Sequence, residues 1–135
     1  MKTSSAPAHV LRVARPTNDI DRAAAFYIDG LGFEVLAKFS DHESFDGIVL
    51  GHAHYPWHIE LTRQAGVTVE GAPSKEHLLV IYLPERAEWE AAVARLRALA
   101  IAPVTAENPY WDRVGLSFED PDGYRVVLQN MAWNL

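Results

Sequence analysis

Trp57-His58-Ile59-Glu60-Leu61-Thr62 alternates apolar with polar side chains, the period of a β-strand with one buried face. Trp57, Ile59 and Leu61 fall on one side. His58, Glu60 and Thr62 fall on the other, so an imidazole and a carboxylate share a face of a sheet. If that face is concave, these are site residues. If it is open surface, they are ordinary polar positions. Trp57, of opposite parity to His58, is expected to pack under a helix.

Working outward, Glu34 to Ser40 and Phe45 to Gly51 read as two strands joined by the polar turn Asp41-His42-Glu43-Ser44. Before them, Ile20, Ala23, Ala24 and Tyr27 recur at helical spacing. Asn18 is placed to cap that helix, and Gly30 to stop it near Asp29. Val10 to Ala14 is the first strand, with Val10, Arg12 and Ala14 on one face and Pro16 ending it. Gln64 to Ser74, polar with Gly and Pro, is a connector.

The second half repeats the order. His77 to Leu83 is an apolar strand with His77, Leu79 and Ile81 on one face. Pro84 opens a helix whose buried stripe is Trp89, Val93, Leu96 and Ala100. Strands follow at Ile101 to Thr105, Val114 to Phe118 and Tyr124 to Gln129, the last two joined by Asp120-Pro121-Asp122-Gly123. Matched helix to helix, the halves are offset by roughly 65 residues. The expectation is an α+β fold of two βαβββ units, residues 9–64 and 76–131, joined by a 65–75 connector. Paired, they form a cup-shaped mixed sheet with the helices outside.

Composition narrows the function. The chain has 135 residues, 49% hydrophobic and 22% charged, enough for a sizeable core. A net charge of -6 with no basic cluster argues against nucleic acid. The absence of cysteine excludes disulfides and thiolate sites. No apolar run is long enough to cross a bilayer. Residues 1–8 read as a flexible polar tail without a signal-peptide core. The expectation is a cytoplasmic protein with no membrane partner.

Phe26-Tyr27 with Gly30-Leu31-Gly32-Phe33, Ile59-Glu60-Leu61-Thr62, and Asp120-Pro121-Asp122-Gly123-Tyr124 occur in an order spanning nearly the whole chain. This set resembles the vicinal oxygen chelate superfamily of glyoxalase I, extradiol dioxygenases, fosfomycin resistance proteins and bleomycin-binding proteins. Ala14-Arg15-Pro16-Thr17 and Glu107-Asn108-Pro109-Tyr110-Trp111 resemble a little-characterised bacterial, glyoxalase-like branch. The resemblance implies a homodimer and a small-molecule ligand. It also implies metal ligands on the first and last strand of each unit. Carried over, these positions fall on Arg12 or Ala8 according to register, then Glu60, His77 and Val127.

Two readings follow. In the first, the protein binds a small molecule without metal, as a resistance or sequestering protein. The Arg12 guanidinium pairs with Glu60 where relatives hold a cation. Arg12, His58 and Glu60, with Tyr110 and Trp111 as an aromatic wall, are then the ligand-binding residues. In the second, Glu60, His77 and His58 hold one divalent ion (Fe, Mn, Ni or Zn) in a lyase or dioxygenase, with Glu60 and His77 catalytic. His58 and Glu60 stand about 6.5 Å apart along a strand, so both reach one ion only if the strand curves. Arg12 would repel that ion. His42, His52 and His54 read as solvated, with His42 and Asp46 near the cup mouth.

Overall fold

The structure, a computed structural model, describes residues 8–134. Apart from Ala8, the polar tail expected at 1–8 lies outside the described residues. Strand β1 (Leu11–Pro16) is followed by helix α1 (Ile20–Ala25), which widens into a π turn over Phe26–Gly30. Strands β2 (Glu34–His42), β3 (Phe45–Gly51) and β4 (Trp57–Gln64) complete a sheet of order β1-β4-β3-β2. Strand β5 (Leu78–Tyr82), helix α2 (Arg86–Ala98), β6 (Gly115–Glu119) and β7 (Arg125–Gln129) follow, and the second sheet has the order β5-β7-β6. In each sheet the strand that comes first in the sequence pairs in parallel with the one that comes last, Leu11 opposite Trp57 and Leu78 opposite Arg125.

Several boundaries differ from expectation, for identifiable reasons. The strand expected at Ile101–Thr105 is reduced to one bridge, Val104 to Ser117. Ile101 spends its N–H on Leu96 at the end of α2, and Pro103 has none to give. Strand β1 runs past Ala14 and takes in Pro16 as its last residue. The N–H groups of Leu11 and Thr17 bond to Pro56 and Thr62, so the alternate positions Arg12, Ala14 and Pro16 face the open edge, where a missing donor costs nothing. Asp19, not Asn18, caps α1 by accepting from the Arg22 N–H. Asn18 instead clasps Val69 of the connector through two bonds of 2.7 and 2.9 Å. Helix α2 starts at Arg86 with Glu85 as its cap residue, so Pro84 lies outside. Ala100 also lies beyond the helix, at φ +60°, and Ala92 takes its place in the buried stripe.

The β2–β3 turn is shorter than expected. His42 belongs to β2, and Glu43 and Ser44 alone make the turn, at φ +51° and +74°. Both are left-handed, the conformation of a type I′ hairpin, which favours Asn-Gly. An L-residue held there costs roughly 1–2 kcal/mol. Substituting Glu43→Asn and Ser44→Gly is therefore expected to stabilise the fold by about 1 kcal/mol or more, read as a higher urea midpoint.

One core serves both halves. Tyr27, Leu50, Ile59, Leu96, Phe118 and Val126 are each at most 2% exposed and belong to a single cluster. The helices meet where Gly30 leaves room for Leu96, since a Cβ on Gly30 would lie 2.7 Å from a Leu96 methyl. The Tyr27 hydroxyl donates to Asp120 at 2.6 Å, joining α1's π turn to the β6–β7 turn. Asp120 also accepts from the N–H groups of Asp122 and Tyr124, and Arg15 stacks on the Tyr124 ring at 4.1 Å.

Candidate functional site

Strand parity divides the first sheet into two unlike faces. Ile48, Leu50, Ile59 and Leu61 face the helices and are buried. Arg12 and Ala14 on β1, His58 and Glu60 on β4, and Gly47, Val49 and Gly51 on β3 share the other face. Glycine shapes that face. A Cβ on Gly47 would lie 2.2 Å from the Phe39 ring, so Phe39 lies across the strand only because no side chain stands there. A Cβ on Gly51 would come within 3.2 Å of His58 Cβ, so glycine there leaves the imidazole room.

Arg12, His58 and Glu60 meet on this face. Arg12 Nε donates to His58 Nε2 at 2.9 Å, and Arg12 Nη1 donates to Glu60 Oε2 at 3.4 Å. The Glu60 side chain is 14% exposed and that of Arg12 is 49% exposed. The carboxylate therefore sits deep, and the guanidinium lies over it toward solvent. Accepting at Nε2 fixes the His58 proton on Nδ1. A pair this open adds little stability, of order 1 kcal/mol or less. Its effect is local: a cation already stands against both the imidazole and the carboxylate.

His77 is elsewhere. It precedes β5 instead of opening the strand, is exposed, and lies with Nδ1 2.9 Å from Ser74 Oγ. Its parity with Leu79 and Ile81 places it on the opposite face from Val80 and Val127. Among the described residues no three His, Asp or Glu side chains gather closely enough to hold a metal ion. The donor set also fits a divalent ion poorly, because Arg12 engages His58 and Glu60, and Val127 has nothing to coordinate with.

Tyr110 and Trp111 form a 3₁₀ turn (Pro109–Asp112) capped by Asn108, with their rings edge to face at 5.0 Å. Among the described residues no hydrogen bond or ring contact joins them to Arg12, His58 or Glu60. His42 and His54 are exposed as expected, but His52 is not simply solvated. Its ring packs 5.8 Å from Phe33 and 4.7 Å from Tyr55, and its Nδ1 is 3.8 Å from a Glu34 oxygen. Trp57 packs against the core side, 5.7 Å from Phe33.

The corresponding face of the second sheet is sealed. Ser117, Val127 and Gln129 are at most 1% exposed, and Val104 and Thr105 are tied to that sheet by the Ser117 bridge and a bond from Arg125. Ser117 Oγ and both Gln129 amide atoms have no partner among the described residues. Sequence reasoning stopped at Val127. The same parity, carried two residues on, reaches Gln129.

Two family models match this chain: the YycE-like N-terminal domain over residues 11–62 and the YycE-like C-terminal domain over residues 76–130. An uncharacterised YycE protein of Bacillus subtilis (strain 168) is 38% identical over 127 residues, 94% of this chain and 91% of its own length. The chain belongs to the YycE-like family. A crystal structure of a Bacillus subtilis YycE protein of unknown function superposes with a TM-score of 0.86 at 36% identity, over 100% of this chain and 98% of that one. A trypanothione-dependent glyoxalase I of Leishmania major (TM-score 0.71, 24% identity, 91% and 86% covered) shares the fold of this YycE-like chain. So does the antibiotic-binding protein TnmS3 of a Streptomyces species (0.66, 23%, 93% and 98%). The YycE-like family thus sits within the vicinal oxygen chelate superfamily, with the expected α+β architecture.

Proposed function

We propose that this YycE-like chain binds a polar small molecule on the face carrying Arg12, His58 and Glu60, without a resident metal, as a sequestering or resistance protein. The supporting observation is the position of Arg12, which donates to both His58 and Glu60 and remains half exposed. Its charge stands where relatives would place a cation, and its outward N–H groups suit a ligand oxygen. A second copy completes the site. In support, β1 and β5 are edge strands, and Val10 and Leu11 beside the site are 63% and 64% exposed.

The test is the metal content of untagged protein after separate exposure to Fe(II), Mn(II), Ni(II) and Zn(II) and desalting. Wild type is expected to retain far less than one equivalent, whereas Arg12→Ala, with His58 and Glu60 freed, retains more. About one equivalent in wild type, lost in Glu60→Ala and His77→Ala, would instead establish a metalloprotein. For a ligand found by thermal-shift screening, Arg12→Ala is expected to weaken binding by about 10- to 100-fold, the scale of a charge-assisted hydrogen bond. Light scattering of the ligand-free protein checks the dimer, and a monomeric mass refutes it.

A further inference from the structure

On the other side of β4, a crevice of about 360 Å³ opens between the two halves of the chain. Its floor is apolar, with Phe33 and Trp57 from the first half and Ile81, Leu83 and Leu128 from the second. One wall is a closed circuit of four touching rings. Phe33 meets His52 at 5.8 Å, His52 meets Tyr55 at 4.7 Å, Tyr55 meets Trp57 at 5.2 Å, and Trp57 returns to Phe33 at 5.7 Å. Rings this close leave no room among them for a cation, so they do not form a cage for an ammonium group. Three of the four contacts are edge to face, at 62° to 77°, so the wall offers both ring faces and ring edges to a ligand.

Facing that wall, α2 contributes Glu88, Ala92 and Arg95. These positions recur at i, i+4 and i+7 and share one stripe of the helix. Ala92 is the short side chain that keeps the crevice open. Arg95 is held in place by neutral groups only, donating from Nε to the Gly30 carbonyl at 3.3 Å and from Nη2 to the Leu31 carbonyl at 3.4 Å. Its Nη1 has no partner, and no carboxylate pairs with it, among the described residues. The guanidinium is thus positioned beside an aromatic wall with its charge uncompensated. Glu88 lies two turns back along the helix, about 10.5 Å away, and repels an anion from that end. With a net charge of -6 the surface as a whole discourages anions, so one held here would depend on Arg95.

We propose that this crevice binds an aromatic monocarboxylate, its ring stacked on one and edge-on to the other of Phe33 and Trp57, and its carboxylate on Arg95. The site is separate from the Arg12 face, because Trp57 and His58 project from opposite sides of β4.

The test titrates 2-naphthoate into the full chain by calorimetry, with the same titration followed by amide chemical shifts. The neutral comparison is 2-naphthylmethanol. The acid is expected to bind at one site with shifts around Phe33, Trp57 and Ala92, and at least about tenfold more tightly than the alcohol. Arg95→Gln is expected to remove that preference while its amide can still reach the Gly30 carbonyl. Ala92→Met is expected to abolish binding by filling the crevice, and Glu88→Gln to tighten it about two- to fivefold. Equal binding of acid and alcohol to wild type overturns the proposal, as do shifts confined to the Arg12 face. Both readouts use the wild-type chain and stand even if a substituted protein fails to fold.

Discussion

Asp120→Ala is expected to cost the fold about 3–5 kcal/mol, measured by urea unfolding. Tyr27, fully buried, would lose the acceptor of its hydroxyl. A buried donor left unpaired costs about 1–3 kcal/mol by itself. The N–H groups of Asp122 and Tyr124 would lose theirs as well, loosening the turn whose Asp122 carbonyl takes the Ala72 N–H of the connector. Asp120 ties the second half to α1 in the first, so the loss is felt by the whole chain. The same residue sets a pH dependence. Burial pushes its carboxyl above the usual carboxylate range, against the hydrogen bonds from Tyr27 and the turn, which pull it down. The folded protein therefore keeps this proton to higher pH than the unfolded chain does. Stability contributed by the protonated form is full below the unfolded value, near about 4, falls as pH rises through the folded value, and is level beyond it. Asp120→Asn is expected to flatten that slope. A slope unchanged in the variant would show that other groups set it.

Leu96→Ala is expected to be comparably severe, at about 3–5 kcal/mol, because it empties the contact between the helices. Leu96 is fully buried, with one methyl lying where a side chain on Gly30 would be. The two positions are coupled. Gly30→Ala alone should destabilise by overpacking against Leu96, yet in the Leu96→Ala background the added methyl enters the space just vacated. The double variant is expected to be more stable than the sum of the single losses predicts, by about 1 kcal/mol or more. Additive losses would place Leu96's contribution elsewhere than at the helix crossing.

What was legible in the sequence was whatever a short period or a rigid residue encodes. Trp57 and His58 fall on opposite faces because a strand has period two, and no tertiary knowledge is needed. The meeting of Arg12 with Glu60 required a register between strands far apart in sequence, which resemblance to a superfamily supplied. His77 was misplaced by one position at a strand boundary, where its N–H turns back to the Ser74 carbonyl instead of joining the ladder. Ile101–Thr105 looked like a strand from its apolar content. The competing claim of α2's end on the Ile101 N–H is not visible in composition. His52 read as solvated because its partners, Phe33 and Tyr55, reach it only after the chain has folded.

Arg12 and His58, bonded in the site, are 46 residues apart in the chain. Strands β2, β3 and β4 follow one another as a meander whose pairings close short loops. β1 has to return across α1 and that whole meander before it finds β4, so its loop-closure entropy is the larger and its contacts come late. In refolding, the Arg12 site is then among the last features to appear. In the native protein it is among the first to open, since β1 is held on one edge only. Hydrogen exchange should report β1 amides exchanging ahead of those of β3. A ligand that grips Arg12 would close that opening by mass action and protect β1 far more than the sheet centre.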